Sequence, residues 1–221
     1  ESQSETISHI LVQKAKILFE KGKFKECAED LEDAFRFAPS VSAKILKLKL
    51  YMVNGNMEEA RSLFFELFKE HPMYATFIFV SLDEFKGDEI NKLEYFKRLD
   101  ILKNEFLQLH DQELMSSPSV VLSKIRLLKS RQQTKEAYNA LSTWMQNNKT
   151  PNEVIEMEYI KLLIEMGKGE EAIKHTSNLL NKLHKSLTRH YCSQCGFNSD
   201  EIFWRCPQCH KWETIQFRWK V

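Results

Sequence analysis

Two stretches decide the fold: GKFKECAEDLEDAFRFAP at residues 22–39 and GNMEEARSLFFELFKEHP at residues 55–72, with matching positions 33 residues apart. Each opens on a glycine, carries a small residue five positions later (Cys27, Ala60) and closes on a proline (Pro39, Pro72). Between glycine and proline, apolar residues recur at i, i+3, i+4 and i+7, the period of an amphipathic helix. The glycine can adopt the left-handed conformation that ends the preceding helix, and the proline stops the following one. Working outward, Leu11, Ala15 and Leu18 form the apolar stripe of a helix leading into the first block, while Cys27, Leu31 and Ala34 form that of the next. The unit is therefore a helix pair. A third copy starts at Gly167 with GKGEEA and continues through Thr176 and Leu179; a weaker one runs through Thr134, Ala137, Leu141 and Trp144, with Pro151 following late. Self-similarity at this period marks helix pairs that bury their apolar faces on their neighbours.

The pattern resembles the tetratricopeptide repeat, with repeats expected near 8–40, 41–72, 118–151 and 153–185. The segment 73–117 is helical by pattern but has lost the alanine position, and Phe85-Lys86-Gly87 marks a turn within it. Trp144 stands where a small residue is usual, which predicts irregular packing of that unit. Phe64, Phe65 and Phe68 are core or inter-repeat residues, and Cys27 is a packed thiol at a small-residue position.

The C-terminal end changes character. Of five cysteines, Cys192, Cys195, Cys206 and Cys209 are spaced C-x2-C-x10-C-x2-C. Two residues between cysteines allow a tight knuckle to aim both sulfurs at one ion, and two knuckles supply the tetrahedral thiolate set that zinc prefers. Gly196 provides positive φ after one ligand and Pro207 pre-sets φ inside the other knuckle. One zinc ion is the expected cofactor; iron fits the same four sulfurs and would make the site redox-active. Four thiolates leave no open position for water, which disfavours hydrolytic chemistry. Arg189, Arg205 and Lys211 are placed to offset the negative charge, and His190 and His210 flank the cluster as exposed or outer imidazoles. Trp204, Trp212 and Trp219 read as packing between this ribbon and the last helix. The ribbon is expected to cap the last helix pair.

The balance of the chain excludes several functions. With 32 basic and 31 acidic side chains in 221 residues, no nucleic-acid partner is expected. Six glycines and five prolines are too few for a sandwich, a barrel or a glycine-rich phosphate loop. No Ser/His/Asp order, phosphate loop or HExxH motif is present, so the chain reads as not an enzyme. No apolar run approaches the ~20 residues of a bilayer helix. The chain begins at Glu1 rather than Met, which is consistent with removal of the natural amino terminus together with any targeting or anchor segment it carried. Across the repeats, the ninth position is Lys16, Lys49, Arg126 and Lys161, and the fifth is Val12, Ile45, Leu122 and Met157. If both rows face one groove, it offers a basic ladder beside an apolar stripe, suited to a peptide with acidic groups and apolar anchors. Glu26, Glu59, Glu136 and Glu171 recur on what should be the outer surface.

The stretch YCSQCGF at 191–197 followed by WRCPQCHKWETI at 204–215, behind tetratricopeptide-like repeats, resembles the LapB (YciM) family of lipopolysaccharide assembly regulators. The resemblance implies a mainly α fold: a tetratricopeptide-like helical-hairpin solenoid over 1–187 and a small β zinc ribbon, rubredoxin-like, over 188–221. It implies Cys192, Cys195, Cys206 and Cys209 as metal ligands. It also implies an adaptor in the bacterial cytoplasm, tethered to the inner membrane by an amino-terminal anchor, that brings the deacetylase LpxC to the membrane protease FtsH. The chain is short for that family and has fewer repeats. The competing readings are a rubredoxin-like iron redox protein and a generic repeat scaffold with other partners. RadA-type recombination ATPases open with a similar ribbon, but their phosphate loop is missing here.

Overall fold

The computed structural model describes residues 3–109, 114–148, 152–187, 190–199 and 201–217. The recurring glycines end helices as their spacing requires. In the first pair, α1 (Gln3–Glu20) is joined to α2 (Phe24–Phe37) through Gly22, which has φ +73°, and the Lys23 amide closes back on the Leu18 carbonyl at 2.9 Å. In the second, α3 (Val41–Asn54) and α4 (Met57–Glu70) meet at Gly55, φ +81°, with Asn56 N–H donating to Tyr51 O at 2.9 Å. These six-to-one bonds satisfy carbonyls that a helix end otherwise orphans. Cys27 and Ala60 have no exposed surface, which is how the paired helices come close.

The degenerate segment is a third pair. A 3₁₀ turn, Pro72–Tyr74, runs into a short α5 (Ala75–Asp83), and a long α6 (Glu89–Leu107) follows the turn at Phe85-Lys86-Gly87. Asp88 caps α6 by accepting from Asn91 N–H at 2.9 Å. Aromatic packing replaces the missing small residue. Tyr95 is fully buried and donates its hydroxyl to Leu82 O at 2.7 Å, and Phe64, Phe68, Phe79 and Phe106 form a cluster with centroids from 4.8 to 6.3 Å apart. Arg98 on α6 donates to Met52 O at 2.6 Å and Val53 O at 2.8 Å, tying this pair to the carbonyl end of α3 where a cation is favoured.

The fourth pair, α7 (Pro118–Ser130) and α8 (Thr134–Asn147), repeats the first two with one substitution. Gln132 occupies the glycine position and takes φ +60°, and Gln133 N–H closes on Leu128 O at 3.0 Å. Trp144 is accommodated by burial and by donating Nε1–H to Met115 O at 2.9 Å, a residue just before this pair.

The chain divides into two units, Glu1–Asn147 and Asn148–Val221. The first holds the four pairs as a tetratricopeptide-like solenoid in which the leading helices α1, α3, α5 and α7 contact in succession. The second holds a fifth pair, α9 (Glu153–Glu165) and α10 (Gly169–Leu187), and a three-stranded antiparallel sheet ordered β2-β1-β3. The strands are β1 (His190–Cys192), β2 (Asn198–Ser199) and β3 (Ile215–Phe217). Gly167, φ +73°, ends α9, with Lys168 N–H on Leu163 O at 2.8 Å. The buried Glu156 is paired with Lys182 at 2.7 Å. Among the described residues, no helix is long and apolar enough to cross a membrane.

Candidate metal centre

The two knuckles have the same hydrogen-bond pattern. In the first, Gly196 N–H donates to Cys192 O at 2.8 Å and Cys192 N–H to Phe197 O at 2.8 Å; in the second, His210 N–H donates to Cys206 O at 2.9 Å and Cys206 N–H to Lys211 O at 2.9 Å. Each turn needs a left-handed residue directly after its second cysteine: Gly196, φ +75°, in the first and His210, φ +59°, in the second. The sequence reading identified Gly196; it missed His210, whose role is backbone conformation.

These turns bring the Sγ atoms of Cys192, Cys195, Cys206 and Cys209 within 4.8 Å of one another, with Cys192–Cys209 at 3.7 Å and Cys195–Cys206 at 3.6 Å. A tetrahedral ion with metal–sulfur bonds of about 2.3 Å requires sulfur–sulfur edges of about 3.8 Å. Two of the six edges match that length and all lie within 4.8 Å, so the four sulfurs are gathered to the size of one metal ion's shell. Cys192 and Cys206 are fully buried, Cys209 is half-buried and Cys195 is exposed.

Local donors act on this sulfur cluster. Burial opposes ionisation of Cys192, but Thr214 Oγ1, 3.1 Å from its sulfur, and the amides of Cys195 and Gln194 outweigh it and hold the thiol below its usual range. At Cys206 burial is likewise outweighed, by the amides of Cys209 and Gln208, and Cys209 N–H lies 3.5 Å from Cys206 Sγ. Both effects favour thiolates, the form a metal binds. The buried Thr214 was not identified from sequence; it lies five residues beyond the last cysteine.

The flanking residues divide. Arg205 Nε–H donates to His210 O at 3.2 Å and Lys211 Nζ to Gln194 Oε1 at 3.4 Å, so both cations brace the knuckles. His190 is buried in β1 and His210 is exposed. Arg189 and Trp219 lie outside the described residues. The tryptophan reading needs correction: Trp204 is 68% and Trp212 65% exposed, so neither is packed away against a helix. Trp212 instead carries the Arg205 guanidinium over its ring at 5.7 Å.

The basic row is split by the fold. Lys16 and Lys49 line one cleft of about 170 Å³ together with Val12 and Ile45, joined by Glu20, Glu84 and Lys86. Lys49 is half-buried and donates to Glu84 O at 2.7 Å; burial, reinforced by the Lys16 charge, holds its pKa down at about 8. Arg126 lines a different cavity with Thr76, Val80, Asp83 and Lys103. Lys161 belongs to the second unit, exposed and paired with Glu158 at 3.4 Å. In the apolar row Val12, Ile45 and Leu122 are buried and Met157 is exposed. Glu26, Glu59 and Glu136 are exposed, whereas Glu171 accepts from the Tyr159 hydroxyl at 3.2 Å. Cys27 is buried, and burial pushes its thiol up to about 12, in keeping with a packed core residue.

Residues 190–216 match the family model of a rubredoxin metal binding domain. Over 190 residues the chain is 23% identical to lipopolysaccharide assembly protein B of Haemophilus influenzae, covering 84% of this chain and 45% of that protein. Over 60 residues it is 30% identical to lipopolysaccharide assembly protein B of Escherichia coli K12, covering 27% of this chain and 15% of that one. The chain thus spans less than half the length of these curated relatives. A tetratricopeptide repeat protein of Thermus thermophilus aligns with 81% of this chain and 93% of its own at 14% identity and a TM-score of 0.37. The resemblance to the LapB family read from the sequence is borne out by the ribbon model and these curated relatives.

Proposed function

We propose that this chain is the helical-repeat and zinc-ribbon part of a non-enzymatic adaptor that regulates lipopolysaccharide synthesis by bringing the deacetylase LpxC to the membrane protease FtsH. The observation that carries this reading is the similarity to lipopolysaccharide assembly protein B over 190 residues. The site chemistry agrees with it. Cys192, Cys195, Cys206 and Cys209 would give a bound ion four sulfur ligands, leaving it no vacant position from which to activate water, and its role would be to hold the ribbon together. Zinc is the ion proposed for Cys192, Cys195, Cys206 and Cys209: it supplies that structure without redox chemistry. Helix pairs present surface rather than a reaction centre. Their contribution to proteolysis is proximity: holding substrate and protease on one scaffold turns a second encounter into an intramolecular one, so contacts of modest strength suffice. The place of action is the bacterial cytoplasm, at the cytoplasmic face of the inner membrane.

Titration calorimetry of the zinc-loaded chain with purified LpxC, and separately with the soluble portion of FtsH, tests the reading. Saturable binding to at least one of them is expected, with faster loss of LpxC when the full-length protein is added to FtsH in membranes. Failure to bind either partner, together with unchanged LpxC lifetime, refutes it.

A further inference from the structure

The cleft between α1, α3 and the end of α5 has a floor and a rim of different chemistry. Val12, Phe19, Ile45 and Leu46 make the floor; Lys16, Lys49 and Lys86 stand at the rim with Glu20 and Glu84. Lys86 is already committed to Glu20 at 3.4 Å. Among the described residues, Lys16 and Lys49 have no carboxylate within ion-pair distance, and the one hydrogen bond that Lys49 makes is to a backbone carbonyl. The half-buried Lys49 ammonium loses hydration that the nearby Glu20 and Glu84 charges, neither within ion-pair distance of it, do not restore, so a cleft of this kind gains from an incoming anion.

We propose that this cleft binds an extended segment of a partner protein bearing an aliphatic side chain beside a single carboxylate, the carboxylate between Lys16 and Lys49 and the aliphatic group on Val12 and Ile45. Charge and size both select that occupant. Three ammonium groups against two carboxylates leave one net positive charge, which a monoanion balances. A dianionic phosphate meets the same two lysines but also a stronger repulsion from Glu20 and Glu84. The volume of about 170 Å³ suits one side chain, since cavities of about 150 Å³ accept a benzene-sized group. The third cation comes from the turn after α5, a position no comparison between repeats would select.

This inference rests on the scaffold reading above, and the test separates the two. The full chain, with isotope-labelled valine and isoleucine methyls, is titrated with acetyl-Ala-Leu-Asp-Ala-amide, with the same peptide carrying Asn, and with the phosphoserine version. Saturable shifts at the Val12 and Ile45 methyls are expected for the Asp peptide, at least tenfold weaker for the Asn peptide. Lys16→Glu, on an exposed side chain, should weaken the Asp peptide at least tenfold with the circular dichroism unchanged, and Lys49→Met should do the same if it folds. No saturable shift, equal binding of Asp and Asn peptides, or an unaffected Lys16→Glu chain overturns the proposal. Phosphoserine binding tenfold tighter than aspartate also overturns it, in favour of a phosphopeptide. LpxC or FtsH binding at wild-type strength by the Lys16→Glu chain removes the cleft and leaves the adaptor.

Discussion

Gln132 bears a conformation that its sister positions give to glycine, and replacing it should stabilise the protein. Gly22, Gly55 and Gly167 have φ between +73° and +81° at the end of their helices, and Gln132 has φ +60° at the same place. A side chain in that region costs about 1–2 kcal/mol through contact of Cβ with its own backbone. Glycine there also loosens the unfolded chain, which returns about 0.4–1 kcal/mol. Gln132→Gly should therefore gain about 1 kcal/mol net. The reverse change provides the control. A Cβ added to Gly22 meets nothing within 4 Å, so Gly22→Ala tests backbone strain without steric clash and should lose about 1 kcal/mol. Both positions lie in Glu1–Asn147, so one unfolding transition reports them. Urea unfolding followed by circular dichroism at 222 nm should show opposite midpoint shifts at constant slope, and melting shifts of about 2–4 °C each way. A destabilised Gln132→Gly, or a neutral pair, refutes the strain argument.

Four further outcomes are expected. Metal analysis should find one zinc per colourless chain, and Cys206→Ser should lose it along with the cooperative unfolding of Asn148–Val221 and destabilise the last helix pair, while the helices of Glu1–Asn147 persist; a variant with unchanged melting counts against the structural ion. Burial holds Lys49 at about 8 against an ordinary 10.5, so the unfolded chain binds more protons between those values. The stability difference between wild type and Lys49→Met should therefore move in favour of wild type as pH rises through that window, with the cost of the buried charge fully present below it. Phe64→Ala, deep in the aromatic cluster, should cost about 3–5 kcal/mol by equilibrium unfolding, and a loss below 1 would show that the cluster collapses onto the gap. Cys27, buried with its thiol raised to about 12, should resist iodoacetamide at pH 8 in the folded chain and react in denaturant.

The helix pairs were legible because their ends are marked by residue types with a single conformational purpose. Glycine at 22, 55 and 167 announces a left-handed cap, and the small residue five positions on announces close helix approach. The third pair was less legible because aromatic burial does the work that Ala does elsewhere: Tyr95 and Phe106 hold α6 in place, and apolar bulk carries no positional signature. Extrapolating across repeats failed for the basic row for the same reason. One repeat beyond Lys49, the equivalent residue is Leu82, fully buried, so the row is interrupted inside the solenoid before Arg126 is reached. Equal positions in a repeat share a surface only while the intervening helices keep their register, and the short α5 does not.

The ribbon tryptophans mislead for a different reason. In a helix pair, a large apolar side chain is needed inside because burial is the main source of stability. In a ribbon of 27 matched residues, a four-sulfur ion would supply that stability, and the buried side chains among the described residues are Cys192, Cys206, the Thr214 hydroxyl and the His190 imidazole. Such a module is too small to enclose an indole, and it has no energetic need to. That apolar residues go inside is a one-way rule whose force depends on there being a core to enter. Trp204 and Trp212 are therefore free to be placed on the surface by the Arg205–Trp212 bridge, and their exposure follows from the metal chemistry that the cysteine spacing had already announced.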